Sequence, residues 1–389
     1  MVGEHEETKT AFFDLPPEVI PFKLQSGEVL SQVRVAYETY GELSERADNA
    51  ILVFHALTGS QHLSGWTEAV PGVQKWSDEC QVGWWTAFVG PGKPIDTDRF
   101  FVIGANYLGG CYGSTGPSSI DPATGSPYGS AFPHLTVADI VDTQVALLDH
   151  LGIETLHAVI GGSVGGMMCL SLATRHPGRV RKVIPIAAGL RTTELQFIHN
   201  FEQTNAILGD PDFRGGDYYA GQHPDSGLAL ARMVGHKTFV SLTAMSERAR
   251  SDVVAGSGPP GYVIRHPLES YMWYQGQKFL ERFDANTYVR LMEVWQHFDL
   301  LAEAGETDLM SLLARCREQE FMIFSIDSDV CFYPDEQEEM AYTLRQAGVN
   351  KLRRVTVHSD KGHDAFLLEP SLFGPHLVAT LEGEWDQYE

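Results

Sequence analysis

The chain has few basic residues relative to acidic ones, few cysteines and no long apolar run. Its 389 residues contain 28 Lys and Arg against 51 Asp and Glu, which gives a formal net charge of -23. This charge disfavours nucleic acid and anionic membranes as partners, because long-range repulsion opposes both encounters. An anionic ligand must therefore be bound by a few placed Arg or Lys side chains or by backbone N–H groups.

The five cysteines are widely spaced, and they include no CxxC pair. We therefore expect neither a disulfide framework nor a zinc cluster, and the lack of an HExxH motif or a close set of His, Cys and carboxylates predicts no metal site. No stretch approaches the ~20 apolar residues that cross a bilayer. We expect a cytoplasmic protein with no membrane partner, since its first ten residues are charged and polar with no apolar core.

Short runs of β-branched and apolar residues alternate with longer amphipathic stretches, which is typical of an α/β fold with a mostly parallel sheet. The pattern predicts a helix at Val137 to Leu151 with Thr136 as its N-cap. Seven strands are predicted, at Gln32 to Tyr37, Ala50 to His55, Phe100 to Ala105, Leu156 to Gly161, Lys182 to Ala187, Glu320 to Ile326 and Leu352 to His358.

The alternation stops after Ala188 and resumes near Glu320. We therefore predict a core formed by residues 1–189 and 318–389, interrupted by a helical lid insertion at residues 190–317. Within this insertion the apolar periodicity predicts four helices, at Thr193 to Ile207, Ser226 to His236, Pro267 to Phe283 and Ala285 to Leu301.

The segment Gly161-Gly162-Ser163-Val164-Gly165 has the GxSxG pattern between a predicted strand and a stretch able to form a helix. In that context the pattern is typical of a nucleophile elbow, where glycines permit a sharp turn and the serine hydroxyl is exposed. The turn would also place Val164 at a helix N-terminus, so that its N–H and the positive end of the helix dipole point to the position where an oxyanion would form. A Gly-rich strand-to-helix turn can alternatively be a phosphate-contacting loop.

A serine nucleophile needs a general base and an orienting carboxylate, and in this fold they follow in the order Ser, Asp or Glu, His. Asp329 follows the predicted strand at 320–326, and His363 follows the one at 352–358. We predict Asp329 as the orienting group and His363 as the base. Asp327 and His358 are the alternatives.

A second oxyanion donor is expected from the loop after an early strand. The loop Ala56 to Gly59 follows such a strand, so the Leu57 N–H is the candidate. An ordinary turn between a strand and a helix is the alternative interpretation.

Ordered motifs extend from about residue 15 to 380. They are FHALTG at 54–59, GPGK at 90–93, DTDR at 96–99, LGGCYGSTGP at 108–117, GGSVGGM at 161–167, ESY at 269–271, YQG at 274–276, RFDAN at 282–286 and GHDAFLLE at 362–369. Together these motifs resemble the homoserine O-acetyltransferase family of α/β-hydrolase-fold enzymes.

The resemblance implies transfer of an acetyl group from acetyl-CoA, as a co-substrate, to the hydroxyl group of L-homoserine in methionine biosynthesis. It implies a ping-pong route in which Ser163 carries the acyl group, no permanently bound cofactor, and a homodimer. It also places Arg232 on the substrate carboxylate and Asp364 on the substrate ammonium. The alternatives are that Arg232 is a surface helix residue and that Asp364 caps a helix beginning at Ala365.

Three departures from the family pattern leave the acceptor open: Val164 stands where Met is frequent, Met168 where Gln is frequent, and Phe239 where a substrate-contacting Tyr is usual. Serine O-acetyltransferase, homoserine O-succinyltransferase, and an esterase or thioesterase are the alternative functions. The run from Ile51 to Gly65 contains no Lys or Arg for a succinyl carboxylate, which favours acetyl.

Overall fold

The computed structural model describes residues 7–250, 256 and 258–383. Its centre is an eight-stranded sheet in the order β1-β2-β4-β3-β5-β6-β7-β8. The two edge pairings of β2, with β1 and with β4, are antiparallel, and the other pairings are parallel. The strands are β1 Ala11–Asp14, β2 Arg34–Tyr40, β3 Ala50–Phe54, β4 Phe101–Ala105, β5 Leu156–Gly162, β6 Val180–Ile186, β7 Glu320–Ile326 and β8 Leu352–Val357.

This architecture confirms the predicted α/β-hydrolase fold. All seven predicted strands are present, with ends displaced by no more than three residues, and β7 has the predicted bounds. Sequence analysis missed β1, because four residues at a sheet edge give too short an alternation to be recognised. Two further pairs of two-residue strands lie outside the main sheet, Phe22–Lys23 with Val29–Leu30 and Val89–Gly90 with Ile95–Asp96.

Both faces of the sheet are covered, as the continuous apolar strands require. Alternate side chains of β3 enter two separate cores, Leu52 on one face and Val53 on the other. The helices are α1 Asp78–Gln81, α2 Val137–His150, α3 Val164–Arg175, α4 Glu194–Leu208, α5 Asp225–Phe239, α6 Leu242–Arg248, α7 Pro267–Leu280, α8 Ala285–Gln296, α9 Leu300–Glu303, α10 Leu309–Leu313, α11 Pro334–Gln346, α12 Ala365–Leu368 and α13 Pro370–Glu382.

Helix α2 begins as predicted, because Thr136 caps it: the Asp139 N–H donates to the threonine hydroxyl, and the Asp139 carboxylate accepts the Thr136 N–H. Its last helical residue is His150, one residue before the predicted end. No helix within the described ranges has both the length and the apolar character needed to cross a membrane.

We call residues 190–317 the lid segment. Its described residues form helices α4 to α10 and contain no strand. The four predicted helices correspond to α4, α5, α7 and α8, of which α7 and α8 end three and five residues earlier than predicted. The division of the chain at residues 189 and 317 stays a prediction.

The RFDAN motif forms a joint inside the lid segment. Asp284 is the N-cap of α8 and accepts the Thr287 N–H at 2.9 Å. The same carboxylate accepts the hydroxyl groups of Tyr218 and Tyr219, at 2.6 and 3.0 Å. A buried carboxylate with three donors is well satisfied, so this motif fixes the start of α8 against the chain before α5.

Candidate active site

Ser163 lies at the sharp turn between β5 and α3. Its backbone has φ 60° and ψ -128°, a conformation that L residues rarely adopt and that is found at functional sites. The Ser163 N–H donates to the Ile186 carbonyl of β6 at 2.9 Å, so the sheet pairing continues up to the serine and holds the strained residue in place. The GxSxG segment therefore has the strand-turn-helix geometry of a nucleophile elbow.

Backbone packing explains the two outer glycines of the elbow. A Cβ atom at Gly161 would lie 2.2 Å from the Gly165 carbonyl oxygen, and one at Gly165 would lie 2.5 Å from the Phe54 carbonyl oxygen. Both obstacles are backbone atoms, which cannot rotate away. The turn can form only because neither position carries a side chain.

Asp329 and His363 are paired in the loops after β7 and β8. His363 Nδ1 lies 2.6 Å from Asp329 Oδ2, and the other carboxylate oxygen of Asp329 accepts the N–H groups of Cys331 and Phe332 at 2.7 and 3.0 Å. Since a carboxylate only accepts hydrogen bonds, His363 must carry its proton on Nδ1. Nε2 is then the free lone pair when the ring is neutral, and it has no hydrogen-bond partner among the described residues.

The electrostatics of this pair favour a stronger base. Burial by itself lowers the pKa of His363, but the charge and hydrogen bond of Asp329 outweigh it and raise the pKa above its usual value. Aromatic rings hold the imidazole on two sides, with Phe332 stacked on it and Phe366 edge-on, both with ring centroids 5.5 Å away. The ring is thereby fixed in orientation as well as in tautomer.

The alternative pair, Asp327 and His358, lies at the surface. His358 Nδ1 is 2.9 Å from Asp327 Oδ2, and the two side chains are 83% and 43% exposed. Neither residue borders the cavity that contains Ser163. The two residues pair with each other and are separate from the elbow.

The loop after β3 borders the same cavity as Ser163, and it contains Leu57. The Ala56 carbonyl accepts the Gly59 N–H at 2.9 Å and lies 2.7 Å from His55 Nδ1. Because the carbonyl and the N–H of one trans peptide point in opposite directions, these bonds fix the direction of the Leu57 N–H. No hydrogen bond from the Leu57 or Val164 N–H is present within the described residues, so both remain able to donate to a ligand.

The cavity has a volume of about 360 Å³ and lies between the elbow, the loop after β3 and the lid segment. It is bordered by five of the seven residues that sequence analysis proposed for the reacting groups and the substrate; Val164 and Asp329 do not border it, and Asp329 lies behind His363. The five that border it are Leu57, Ser163, Arg232, His363 and Asp364. The fold thus brings residues that are far apart in the sequence, from position 57 to position 364, to one cavity.

Arg232 and Asp364 carry opposite charges on this cavity. The Arg232 guanidinium packs over the rings of Phe239 and Phe279, 5.6 and 5.0 Å from their centroids, and it makes no ion pair in the described part of the chain. Burial lowers its pKa, and the nearby Arg282 adds to this. Arg232 therefore lies in the cavity wall, and the alternative of a surface helix residue is wrong.

Asp364 stands at the N-cap position of α12, but its side chain makes no capping hydrogen bond. Burial raises the pKa of this carboxyl group. The alternative that Asp364 serves as a helix cap therefore has no hydrogen bond to support it. A carboxylate without such a partner on the cavity wall is available to a cationic ligand group.

Sequence analysis missed a second cavity arginine, Arg282. Its Nη1 donates to the Thr58 carbonyl at 3.0 Å and to the Tyr112 hydroxyl at 3.2 Å, and its Nε lies 3.5 Å from Glu79 Oε2. Arg282 and Tyr112 both lie in motifs on which the family resemblance was based. The motifs therefore contained a signal for both residues, but their contacts are visible only in the folded structure.

No group of three or more His, Cys, Asp or Glu side chains within the described ranges is placed to hold a metal ion. All five cysteines are free: Cys169, Cys316 and Cys331 are buried, and Cys80 and Cys111 are partly exposed. Cys80 borders the same cavity as Ser163 and His363.

Comparison with known proteins supports the same fold and family. The alpha/beta hydrolase fold family matches residues 49–370. A homoserine O-succinyltransferase from Laribacter hongkongensis is 45% identical over 96% of this chain and 95% of its own length. A homoserine O-acetyltransferase from Solidesulfovibrio magneticus is 41% identical over 92% of this chain and 88% of its own.

Among solved structures, a crystal structure of esterase E22 superimposes with a TM-score of 0.83 at 26% identity, over 96% of this chain and 100% of that one. The similar proteins thus differ in the acyl group and in the reaction that their names describe. What they share is the fold and, for the two curated relatives, acyl transfer to homoserine.

Proposed function

This chain belongs to the homoserine O-acyltransferase family of the alpha/beta hydrolase fold, and on that premise we propose that it transfers an acyl group from a coenzyme A thioester to the hydroxyl group of L-homoserine in methionine biosynthesis. The observation that carries the proposal is the 2.6 Å pairing of His363 with Asp329 beside the cavity that holds Ser163. Arg232 and Asp364 on that cavity fit a zwitterionic acceptor.

In the proposed first half-reaction, His363 Nε2 takes the proton of the Ser163 hydroxyl as its oxygen attacks the thioester carbon. The carbonyl oxygen becomes an oxyanion that accepts hydrogen bonds from the Leu57 and Val164 N–H groups. The carbon–sulfur bond then breaks, and the proton on His363 passes to the departing CoA thiolate. Ser163 is left as an ester of the acyl group.

In the second half-reaction the homoserine hydroxyl gives its proton to His363 Nε2 and attacks the ester carbon. The same two N–H groups stabilise the second oxyanion, and the Ser163 oxygen leaves with the proton that His363 returns to it. Water in place of homoserine would hydrolyse the ester. The lid segment over the cavity supports the exclusion of water.

The acceptor site is proposed to lie between Arg232 and Asp364. The guanidinium suits the substrate carboxylate and the carboxylate suits the ammonium, since charge-assisted hydrogen bonds are stronger than neutral ones. Phe239 contributes a ring and no hydroxyl group at this point, with its centroid 6.3 Å from that of His363. A shorter hydroxy-amino acid such as serine is therefore the competing acceptor.

Acetyl-CoA is the donor that sequence analysis favoured, because the loop after β3 contains no Lys or Arg. The lid segment, however, brings two guanidinium groups, Arg232 and Arg282, to the cavity that this loop borders. A cation for a succinyl carboxylate is therefore within the cavity wall, and relatives carry both names. Succinyl-CoA is the second candidate donor.

The test is a steady-state thiol-release assay that crosses acetyl-CoA and succinyl-CoA with homoserine, serine and no acceptor. We expect release to depend strongly on homoserine and to disappear in Ser163→Ala. Equal release without any acceptor would replace the proposal with an esterase or thioesterase. The donor with the higher kcat/KM in the homoserine arm identifies the acyl group.

Asp364→Asn tests the acceptor site, with Asp360→Asn as its matched control. The charge-assisted hydrogen bond is worth about 1.5–3 kcal/mol, so we expect the KM for homoserine to rise roughly tenfold to a hundredfold, with a smaller effect on acylation by the donor. Asp360 lies in the same loop but pairs with Lys361 at 2.9 Å and does not border the cavity. Equal KM values in both variants would contradict the assignment.

The family resemblance also leads us to propose a homodimer, and helix α4 offers the face for it. Phe197, Ile198, Phe201 and Leu208 of α4 are 42, 54, 67 and 51% exposed. Among the aromatic residues of the lid segment, Tyr274 is also exposed, at 57%. Trp295 is buried at 2% exposure and borders the cavity, so it is unavailable to a second chain.

A further inference from the structure

We propose that Arg282 is a positioning residue that sets the direction of the Leu57 N–H through the Thr58 carbonyl, and thereby makes the oxyanion site depend on how the lid segment is docked. The inference goes beyond the proposed function because no step of that function gives Arg282 a part in the oxyanion site. It requires only that Ser163 accepts an acyl group, and it holds for a transferase or a hydrolase.

Two linked peptide groups carry the effect. The peptide between Thr58 and Gly59 is held at both ends: its carbonyl accepts from Arg282 Nη1 at 3.0 Å, and its N–H donates to the Ala56 carbonyl at 2.9 Å. The Ala56 carbonyl belongs to the peptide that bears the Leu57 N–H. Any rotation of the first peptide therefore changes the bond that fixes the second.

The Ala56 carbonyl has a second contact, which comes from the other end of the loop. His55 Nδ1 lies 2.7 Å from that oxygen and donates to it, and burial lowers the pKa of this histidine to about 4, so the ring is neutral. His55 precedes the loop and is held by a 3.6 Å stack on Tyr107. It secures the start of the loop, whereas Arg282 secures its far end.

Core residues in turn hold the lid at the point where Arg282 lies. Lys75 Nζ donates to the carbonyls of Leu280 and Phe283, at 2.9 and 3.1 Å. The Tyr112 hydroxyl donates to the Arg282 carbonyl at 2.7 Å while it accepts from the Arg282 guanidinium. The Leu280 carbonyl at the end of α7 lacks a partner within the helix, and together the three bonds dock this end of α7 and the residues that follow it on the core.

A guanidinium group is suited to this position because its several N–H donors lie in one plane and can serve more than one acceptor at once. Besides Thr58 and Tyr112, the group lies against the Phe279 ring, 5.0 Å from the centroid, and near Glu79. The side chain is only 14% exposed. Removal of α7 from the core would withdraw this donor from the Thr58 carbonyl, so the oxyanion donor is preorganised only while the lid is docked.

The experiment measures acylation of Ser163 by p-nitrophenyl acetate in the pre-steady state, which needs neither CoA nor homoserine. The variants are Arg282→Gln, Arg282→Lys and Arg282→Ala, the last with and without added guanidinium ion. Arg290→Gln is the matched control: Arg290 is another lid arginine, 13% exposed, whose Nη2 donates to the core carbonyl of Ser130 at 3.3 Å but which does not border the cavity.

Loss of one oxyanion donor costs about 10²–10³ in rate, and a mispositioned donor costs less. We expect the acylation rate constant to fall roughly tenfold to a hundredfold in Arg282→Gln, less in Arg282→Lys, and to recover in part when guanidinium, but not methylammonium, is added to Arg282→Ala. We expect affinity for a boronic acid, which mimics the tetrahedral intermediate, to fall in proportion. Arg290→Gln should change neither quantity.

An unchanged acylation rate in folded Arg282→Gln, or a loss of rate with no loss of boronic acid affinity, would overturn the inference. So would an equal effect of Arg290→Gln, which would mean general destabilisation of the lid segment. If Ser163 of the parent protein is acylated by p-nitrophenyl acetate but the protein transfers no acyl group to homoserine, the proposed function fails and this inference stands. A parent protein that never forms the acyl-enzyme would overturn both.

Discussion

His363 has the surroundings expected of a general base: its Nδ1 faces the Asp329 carboxylate, and its Nε2 has no hydrogen-bond partner within the described residues. Asp329 fixes the tautomer, and its charge favours the protonated ring. The exposed pair Asp327 and His358 has a similar distance between its atoms but lies in water. The two pairs therefore differ in burial and in position relative to Ser163, and those differences decide which one can act on a substrate.

The raised pKa of His363 predicts the position of the acidic limb of the pH–rate profile. The base must be deprotonated to act, so activity falls as the pH drops through its pKa. Since Asp329 raises that pKa above its ordinary value of 6.5, we expect the acidic limb of kcat/KM above pH 6.5. Asp329→Asn removes the charge, so the limb should move to lower pH while the rate falls by about 10⁴.

The matched control for this prediction is Asp327→Asn, which removes the equivalent carboxylate from the exposed pair. Its pH profile should coincide with that of the parent protein. A parent profile with its acidic limb at or below pH 6.5, measured as kcat/KM over a buffered series, would contradict the assignment of His363 as the base.

At the scale of elements, the elbow is a single joint between β5, α3 and the neighbouring strand β3. The backbone of this joint is packed so closely that side-chain atoms are excluded at Gly161 and Gly165. The strain at Ser163 persists because the surrounding sheet pairing holds both sides of the turn. Activity and stability are therefore linked at this joint.

Gly161→Ala tests how much this close packing contributes to stability. The added methyl would lie 2.2 Å from the Gly165 carbonyl oxygen, and overpacking against backbone typically costs ~1–3 kcal/mol or more. We expect the free energy of unfolding, measured by urea denaturation, to fall by at least about 2 kcal/mol. Gly178→Ala is the control, because a Cβ there meets nothing within 4 Å; a similar loss in both variants would refute the packing argument.

The lid segment contains a helix whose polarity is inverted. The buried residues of α4 include Gln196, Asn200 and Gln203, while its exposed side bears large apolar side chains such as Phe201. Gln196 donates to the Cys331 carbonyl at 2.9 Å, beside the turn that holds Asp329. Gln196 on the inner side of α4 thus supports the loop that carries Asp329, and most of the large apolar side chains of α4 lie on the outside, with Ile207 buried.

At the scale of the whole molecule, the core contributes Ser163, His363 and Asp364 to the cavity, and the lid segment contributes two arginines. Arg232 and Arg282 bring positive charge to a chain whose formal net charge is -23. The general field of such a protein repels anionic ligands. Since the CoA thioester of the proposed reaction is an anion, we expect these local guanidinium groups to provide the attraction at the site.

The proposed dimer gives a prediction at this scale. Burial of apolar side chains drives association, and a charge in the centre of such a face opposes it. We expect the parent protein to have twice the mass of a single chain in analytical ultracentrifugation, and Phe201→Glu to shift it to the monomer. Tyr342→Glu is the control, because Tyr342 is 64% exposed on α11, outside the lid segment, and its substitution should leave the mass unchanged. A monomeric parent protein would contradict the proposed dimer.

Local chemistry explains how much could be read from the sequence. The strands, the cap at Thr136, the elbow glycines and the order of Ser163, Asp329 and His363 follow from periodicity, sterics and chain direction, which act over a few residues. For the same reason sequence analysis did not detect short elements such as β1, and it predicted ends for α7 and α8 that lie several residues beyond the observed ones. The resemblance to known motifs added Arg232 and Asp364.

Only the tertiary structure decided which charged groups meet. Arg282 reaches the Thr58 carbonyl across 224 residues of chain, and no local pattern encodes such a contact. The argument against a succinyl group used the charges near Leu57 in sequence, whereas the cavity takes its cations from the lid segment. Periodicity sets the local conformation of the backbone, but the electrostatics of a cavity is a sum over neighbours in space, and those neighbours exist only once the chain has folded.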